Sequence, residues 1–419
     1  MLAILIRPSI DTPTVRLLRC KATISRVFAS AECFGSVLTT GYVRLPCWTA
    51  LSLYIQSMIP IVEWPLEQIL LIVFSMSTLA VVSQSGQTLN FFDSTSGVRT
   101  GQVRNLIAEP HELCFDDRTG LLYISHAYQH GWYASHGAFV SLISIFDSKT
   151  RAVVDTIDIS PYLGPHYLQI DKGRNLLYAT IEGGISMEMP DSGGIVGIDL
   201  HTRTVTKRIA SGHKSHWFVM MPDGSKAYTC NKEAGFISVI DLVKGQLLRK
   251  ISMPGGCEQP GISRDGSFAF FPSPTIGQVG YAPCIKVIDT GLDEITHEIP
   301  LETGAVTVHV NSQDRLLVGL YRIQVDDKTS KPIPSYGGVA CFQSIGSDYD
   351  RAGTVETGLI PLTITSHPDG NTAYVSNIFS GTLSVVDMRT MIVEKILEVD
   401  TEKREDKAMH QGAHGIALM

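Results

Sequence analysis

A repeated pattern of strand-forming residues constrains this chain more than any other feature of its sequence. Strand-like segments such as Ile237-Ser-Val-Ile-Asp241 recur along it, and each ends in a polar residue. The closing residues are Asp93, Asp147, Asp199, Asp241, Asp289, Gln343 and Asp387. By subtraction they are 54, 52, 42, 48, 54 and 44 residues apart. A four-stranded unit repeated at this period cannot bury both faces alone, and it is typical of a propeller blade.

One copy of the repeat shows its internal order. It begins at Leu362 with a first strand, turns at Asp369-Gly370, and continues through a second strand to Asn377. A third strand then closes at Asp387, and a fourth follows it. Asp-Gly between alternating apolar residues is a strong hairpin signal. Each copy is therefore predicted to be an antiparallel meander.

Seven first strands can be counted along the chain. The residues that open them are His111, His166, His216, Glu258, Thr307, Leu362 and His414. The last copy has only one strand before the chain ends at Met419, and three strand-like segments lie between Thr78 and Val103. We therefore predict an all-β, seven-bladed propeller over residues 76–419. Its N-terminal strands would pair with the C-terminal strand, which removes an exposed sheet edge.

Residues 1–75 do not follow the repeat. Residues 1–44 contain six Arg and Lys against only Asp11 and Glu32, which resembles a mitochondrial presequence, although an extended start ahead of Met76 explains the segment as well. The apolar stretch from Ile69 to Val82 is preceded by prolines and glutamates, and its second half is needed as a blade strand. Too few apolar residues are left to cross a bilayer, so we predict no membrane span.

Composition narrows the choice of partners and compartment. With 34 Lys and Arg against 41 Asp and Glu, the chain has no basic excess for nucleic acid. Residues 76–419 hold five scattered cysteines without a Cys-x-x-Cys pair, and the chain has no Asn-x-Ser/Thr site. These features favour a reducing compartment, and we predict a cytoplasmic location.

The residues that open the first strands are the candidate catalytic groups. In a propeller these positions converge on one mouth of the central channel, where ligand sites are usually found. The candidates are His111, His166, His216, Glu258 and His414. A single histidine there can simply bond to channel water and a neighbouring carbonyl. Five polar groups at equivalent positions favour a site.

The connections between second and third strands are expected to form walls around the channel mouth, above the residues that open the first strands. The interval from the second-strand aromatic to the closing Asp is 13 residues in the third blade but 24 in the first (Tyr123 to Asp147) and 21 in the second (Tyr178 to Asp199). The fourth and fifth blades are also extended. Candidate substrate-binding residues on these predicted loops are His126, His130, Trp132, Tyr133, His136, Met187, Tyr281, Tyr321 and Tyr336. Such a rim suits a flat, apolar ligand.

Metal binding, phosphate binding and a serine nucleophile have weaker support in the sequence. Histidine-rich rings also hold zinc or iron, and that alternative stays open, although no metal ligand is assigned. The glycine pairs at 183–184 and 193–194 lack the strand-to-helix context of a phosphate cradle, and no Gly-x-Ser-x-Gly elbow occurs. The sequence therefore predicts no cofactor.

The repeat resembles a known family. Asp369-Gly-Asn-Thr-Ala-Tyr-Val-Ser-Asn377, followed by Leu383-Ser-Val-Val-Asp387, is similar to the YVTN-repeat propellers, with weaker copies over residues 76–419. Within that group, the long histidine- and aromatic-rich loops look most similar to fungal hetero-Diels–Alderases of tropolone–sesquiterpenoid biosynthesis. The resemblance implies a [4+2] addition between a quinone-methide-type tropolone and an olefin such as humulene. Its partners would be apolar polyketide and terpenoid substrates held face to face.

Two other functions remain possible. One is a non-catalytic scaffold that binds a protein or peptide across the mouth, for which the predicted loops have few charged anchors. The other is a lactonase-like hydrolase. That enzyme would be expected to need acidic metal ligands at the channel, and Glu258 alone is too few.

Overall fold

The structure is a computed structural model that describes residues 77–132, 135–185, 192–231, 234–274, 281–325, 332–345, 348–404 and 410–419. Every regular element in these ranges is a β-strand. The predicted leader, residues 1–75, lies outside them, so its status stays a prediction. No helix in the described ranges is long and apolar enough to cross a bilayer.

The strands follow one another closely along the described chain. In order they are β1 (Thr78–Ser83), β2 (Thr88–Asp93), β3 (Arg99–Val103), β4 (Leu113–Asp116), β5 (Leu121–Tyr128), β6 (Gly131–Trp132), β7 (Ser135–His136), β8 (Phe139–Asp147), β9 (Ala152–Asp158), β10 (Leu163–Asp171), β11 (Leu176–Gly183), β12 (Gly194–Asp199), β13 (Val205–Ala210), β14 (Phe218–Met220), β15 (Lys226–Cys230), β16 (Phe236–Asp241), β17 (Gln246–Ser252), β18 (Gly261–Ile262), β19 (Phe268–Pro272), β20 (Cys284–Asp289), β21 (Glu294–Pro300), β22 (Gly304–Val310), β23 (Leu316–Val325), β24 (Pro332–Ile345), β25 (Asp348–Glu356), β26 (Pro361–Ser366), β27 (Thr372–Asn377), β28 (Thr382–Asp387), β29 (Ile392–Glu398) and β30 (Ile416–Leu418).

Seven four-stranded antiparallel sheets form the blades. Blade 1 is β4-β5-β8-β9, blades 2 to 6 are β10–β13, β14–β17, β18–β21, β22–β25 and β26–β29, and blade 7 is β30-β1-β2-β3. Val81 pairs with Ile416 and Leu79 with Leu418, so the two ends of the described propeller share one blade. The predicted seven-bladed propeller and its closure are confirmed.

Apolar side chains fill the space between adjacent blades. One buried cluster joins blades 1 and 2 around Tyr123, Ile145 and Leu177, and equivalent clusters join the other neighbouring pairs. At roughly 1.5–3 kcal/mol for each fully buried large aliphatic side chain, these contacts are the main stabilising interaction between blades. They hold the first strands around the channel in fixed positions.

The closing aspartates have a structural explanation. In blade 1, the Asp147 carboxylate accepts hydrogen bonds from the backbone N–H groups of Lys149 and Thr150, both at 2.8 Å. Arg151 then takes a positive φ of 54°, which lets the chain enter the fourth strand. Asp199, Asp241, Asp289 and Asp387 accept backbone N–H bonds in the same way. The repeat selects Asp because a short carboxylate can satisfy the N–H groups of its own turn.

Two of the expected wall loops contain more strand than predicted. In blade 1, Ser125 to Tyr128 belong to β5, and the connection carries a small hairpin in which Gly131 pairs with His136. In blade 5, β23 and β24 continue as a paired ribbon from Tyr321 to Val325. The prediction of loop was wrong at these positions because each segment pairs with a partner strand, Ser125 to Tyr128 with β8 and Tyr321 to Val325 with β24.

Candidate functional site

The predicted catalytic residues lie at the channel end of the first strands. His111 and His216 precede β4 and β14, His166 lies inside β10, and His414 precedes β30. Glu258 lies ahead of β18. Blades 7, 1, 2, 3 and 4 thus each supply one group, in ring order.

The preceding blade holds the backbone of several of these residues. The Ser125 hydroxyl in blade 1 donates to the His166 carbonyl at 2.6 Å, and the Thr180 hydroxyl in blade 2 donates to the His216 carbonyl at 2.7 Å. The Cys230 thiol of blade 3 donates to the Glu258 carbonyl. All three donors lie two residues after the second-strand tyrosine. The same repeat that builds the blade therefore fixes the next residue of the site.

A glycine brings the ends of the ring together. The Gly415 N–H donates to the His111 carbonyl at 3.1 Å. A Cβ at Gly415 would approach the Cα of Glu112 to 2.8 Å, too close for any side chain. The absence of a side chain lets His414 reach blade 1.

Four imidazoles form a continuous stack. The ring centroids of His414 and His111 are 4.0 Å apart, those of His111 and His166 3.8 Å, and those of His166 and His216 3.5 Å. None of the four residues is more than 5% exposed. The structure thus brings together the four histidines that the sequence placed at equivalent positions.

Three carboxylates flank this stack. Glu112 Oε1 lies 2.9 Å from His414 Nδ1 and 3.6 Å from His111 Nδ1. Glu258 Oε2 lies 3.3 Å from His216 Nδ1, and Glu182 Oε1 lies 3.9 Å from His216 Nε2. We call these four histidines and three glutamates the mouth cluster.

Glu112 and Glu182 were missed by the sequence analysis, which counted Glu258 as the only acidic group. Two signals could have found them. Glu112 follows His111 directly, and Glu182 is the one charged residue in the apolar strand β11, Leu-Leu-Tyr-Ala-Thr-Ile-Glu-Gly. Both are buried, at 2% and 5% exposure. A charged residue in a buried strand is expensive unless it is paired, which makes it a candidate for function.

The mouth cluster contains a carboxyl group with altered proton affinity. Burial raises the pKa of Glu112 well above its ordinary value, because the charged form loses its hydration. The clusters His111–Glu112–His414 and His166–Glu182–His216 each place one potential ligand atom per residue within 4.8 Å of one another. The arrangement is suited to moving protons between imidazole and carboxylate and to holding a cation.

His126 was predicted to bind substrate, but its ring is hydrogen-bonded to residues outside the mouth cluster. Its Nδ1 donates to the Ala108 carbonyl at 3.2 Å, and its Nε2 accepts from the Ser144 hydroxyl at 2.8 Å. Burial lowers its pKa to about 4. Both ring nitrogens are thus hydrogen-bonded within the protein, one to blade 1 and one to the connection between blades 7 and 1. Contact of His126 with substrate stays a prediction.

The predicted rim residues occupy different environments. The Tyr321 hydroxyl donates to the Pro274 carbonyl at 2.6 Å, and its side chain is buried. The Arg322 guanidinium lies 5.3 Å from the Tyr336 ring centroid, and Tyr281 is half exposed. The exposed His130 ring lies against Gly137. Their contact with a ligand stays a prediction.

Four further predicted contacts fall outside what the structure describes. Tyr133 and Met187 belong to undescribed segments, and the side chains of Trp132 and His136 are likewise undescribed. What can be placed is the hairpin itself: the Gly131 N–H donates to Glu109 at 2.9 Å, and Gln84 donates to the Gly131 carbonyl at 2.6 Å. The base of the first wall is therefore anchored between blades 7 and 1.

No known protein-family profile and no curated protein sequence matches the chain. Solved structures do resemble it. A protein of unknown function from Desulfotomaculum acetoxidans gives a TM-score of 0.61 at 13% identity, covering 82% of this chain and 99% of its own. A candidate 6-phosphogluconolactonase from Bacteroides fragilis gives 0.59 at 13% identity, covering 83% and 99%. Kuenenia stuttgartiensis hydrazine synthase gives 0.52 at 16% identity, covering 67% and 76%. At such identities the likeness shows the propeller fold alone.

Proposed function

We propose that this protein is a hydrolase that opens a small lactone at the mouth of its channel. The observation that carries the proposal is the pairing of buried imidazoles with buried carboxylates, above all His414 with Glu112 at 2.9 Å. From the sequence, a lactonase-like function had too few acidic metal ligands at the channel. Glu112 and Glu182 supply the missing carboxylates.

Lactone hydrolysis needs two proton transfers. A base takes a proton from water as the water oxygen adds to the carbonyl carbon, and an acid then gives a proton to the ring oxygen as the C–O bond breaks. An imidazole held by a carboxylate can perform both steps, because the carboxylate orients the ring and stabilises its protonated form. We assign this role to His414 with Glu112 behind it, and His111 beside them can relay the proton.

The comparisons agree with this class of reaction only at the level of the fold, and they identify no substrate. Candidate 6-phosphogluconolactonases from Bacteroides fragilis and Bacteroides uniformis share the fold. The mouth cluster itself consists of histidines and glutamates, with neither Lys nor Arg among its members. A phosphate group would be repelled by carboxylates and would need such cations. We therefore propose a lactone that carries no phosphate.

The hetero-Diels–Alder reaction implied by the sequence resemblance is the second candidate. The observation in its favour is Tyr128, a buried aromatic residue whose ring centroid is 6.0 Å from that of His111. Aromatic surface beside imidazole donors could align a heterodiene and activate its carbonyl oxygen. The buried carboxylates have no evident role in that reaction, which is why hydrolysis is placed first.

One assay separates these functions. Purified full-length protein would be incubated with unphosphorylated γ- and δ-lactones, with 6-phosphogluconolactone, and with a hydroxymethyl tropolone plus humulene, and the products followed by mass spectrometry. We expect hydroxy-acid formation from an unphosphorylated lactone, reduced at least about 100-fold by His414→Gln. The exposed His201→Gln serves as the matched control.

The other outcomes have clear meanings. A stereodefined tropolone–humulene adduct without lactone opening would refute hydrolysis in favour of cycloaddition. Rapid opening of 6-phosphogluconolactone alone would overturn the argument from charge. No turnover by folded protein would leave the scaffold function that the sequence also allowed.

A further inference from the structure

Three of the seven residues of the mouth cluster have the geometry of a metal centre. His166 lies in β10, Glu182 in β11, and His216 just before β14, so blades 2 and 3 supply the three side chains together. Their potential ligand atoms all lie within 4.8 Å of one another, and none of the residues is more than 5% exposed. Well-packed strands hold the set in place.

The spacing of these atoms leaves room for an ion. A tetrahedral zinc ion with bonds of about 2.0–2.1 Å separates its ligand atoms by roughly 3.3 Å. Glu182 Oε1 and His216 Nε2 are 3.9 Å apart, so a small inward movement of the side chains would reach that value. By contrast, Glu112 Oε1 and His414 Nδ1 are only 2.9 Å apart, too close for an ion to lie between them. The first pair is suited to an ion and the second to a shared proton.

Further contacts orient the ligand side chains. Glu258 Oε2 lies 3.3 Å from Nδ1 of His216, the ring nitrogen opposite the one that faces Glu182. Metal-binding histidines almost always give their other N–H to such a group, which fixes the ring and raises its basicity. On the other side, the Tyr128 hydroxyl donates to Glu182 Oε1. A carboxylate has enough lone pairs to accept this bond and bind an ion as well.

We propose that His166, Glu182 and His216 bind one divalent transition-metal ion of the zinc class, with Glu258 orienting His216. Two imidazoles and one carboxylate form a set that is typical of catalytic zinc, where a further position remains for water or substrate. Such an ion would polarise a carbonyl beside the imidazole–carboxylate pair formed by His414 and Glu112. The inference concerns binding and holds whether or not the cluster hydrolyses a lactone.

The test measures metal binding directly. Full-length protein is stripped with a chelator, transferred to metal-free buffer and titrated with Zn²⁺ by calorimetry, and Co²⁺ is added to a second sample for visible absorption. We expect one saturable site and the absorption of a tetrahedral Co²⁺ complex. Glu182→Gln should weaken binding at least about 100-fold, and Glu258→Gln about 10- to 100-fold through the orientation of His216.

Glu112→Gln is the matched control, because it removes a buried carboxylate of the same cluster that is not assigned to the ion. It should change the Zn²⁺ affinity less than about threefold, and thermal melts would establish that each variant is folded. Absence of saturable binding by the wild-type protein would overturn the proposal. So would loss of binding in Glu112→Gln with binding retained in Glu182→Gln. Zinc binding without lactone turnover would support this site and refute the proposed hydrolysis.

Discussion

Carboxylates at the two faces of this propeller experience opposite environments. Strands alternate in direction within a blade, so the end of the third strand lies on the face opposite the start of the first. At that far face, a side-chain hydrogen bond from Arg389, together with backbone N–H bonds, lowers the pKa of Asp387 to about 2 despite some loss of hydration. At the mouth, burial raises the pKa of Glu112 well above its ordinary value.

The difference shows which charges serve the fold. A turn aspartate is satisfied by its own segment and stabilises the hairpin in the six copies of the repeat that contain it. A buried glutamate among imidazoles costs desolvation energy and caps no turn. Buried ionisable groups that a protein retains despite their desolvation cost are concentrated at functional sites. The mouth cluster is therefore expected to lower the stability of the fold while serving the reaction. Three measurements test this comparison.

The largest effect is expected from Glu112→Gln. Losing the carboxylate that orients His414 should lower lactone turnover at least about 100-fold, while the midpoint of thermal unfolding stays equal or rises because a desolvated carboxyl group is gone. Asp387→Asn should do the reverse, with full turnover and slightly lower stability. The comparison fails if Glu112→Gln keeps its activity and melts many degrees earlier.

A smaller effect is expected from a buried histidine outside the cluster. The pKa of His126 is about 4 in the fold, against 6.5 for the ordinary side chain. Below pH 6.5 the unfolded chain takes up a proton that folded His126 does not, so stability is full above pH 6.5 and falls by about 3 kcal/mol as the pH decreases to 4.

Denaturant unfolding between pH 4 and 7 would measure this dependence. His126→Gln should have a shallower slope of stability against pH than the wild type, whatever its absolute stability. The exposed His201→Gln should keep the wild-type slope. Parallel slopes in all three proteins would show that His126 is protonated in the fold.

The smallest effect is expected at a turn. Asp387→Ala removes the acceptor for the Arg389 N–H, 2.8 Å away, and should lower the free energy of unfolding by about 1 kcal/mol. Asp387→Asn keeps a side-chain oxygen and should lose less than half of that. Equal losses in the two variants would mean that charge, and not the local hydrogen bond, explains the aspartate of the repeat.

Much of the fold could be predicted because it depends on local patterns. The alternating strands recur in seven copies and the closing Asp in six of them, so an error in one copy is corrected by the others. The single strand at the end implied closure with the first three. The first-strand histidines could be predicted in the same way, because they occupy equivalent positions in successive copies of the repeat. Wall loops were harder to predict: the extension of β5 through His126 and of β23 beyond Tyr321 depends on a partner strand that local sequence does not identify.

The sequence by itself determined the blades, the closure of the ring and the four histidines that converge, because a strand of period two and a repeated turn fix where each residue points. Only the tertiary structure decided which groups meet. Glu112 comes from blade 1 and His414 from blade 7, and Glu182 from blade 2 faces His216 from blade 3. Such pairs form between blades, where distance depends on how sheets pack around the channel, and no periodicity within one blade contains that information.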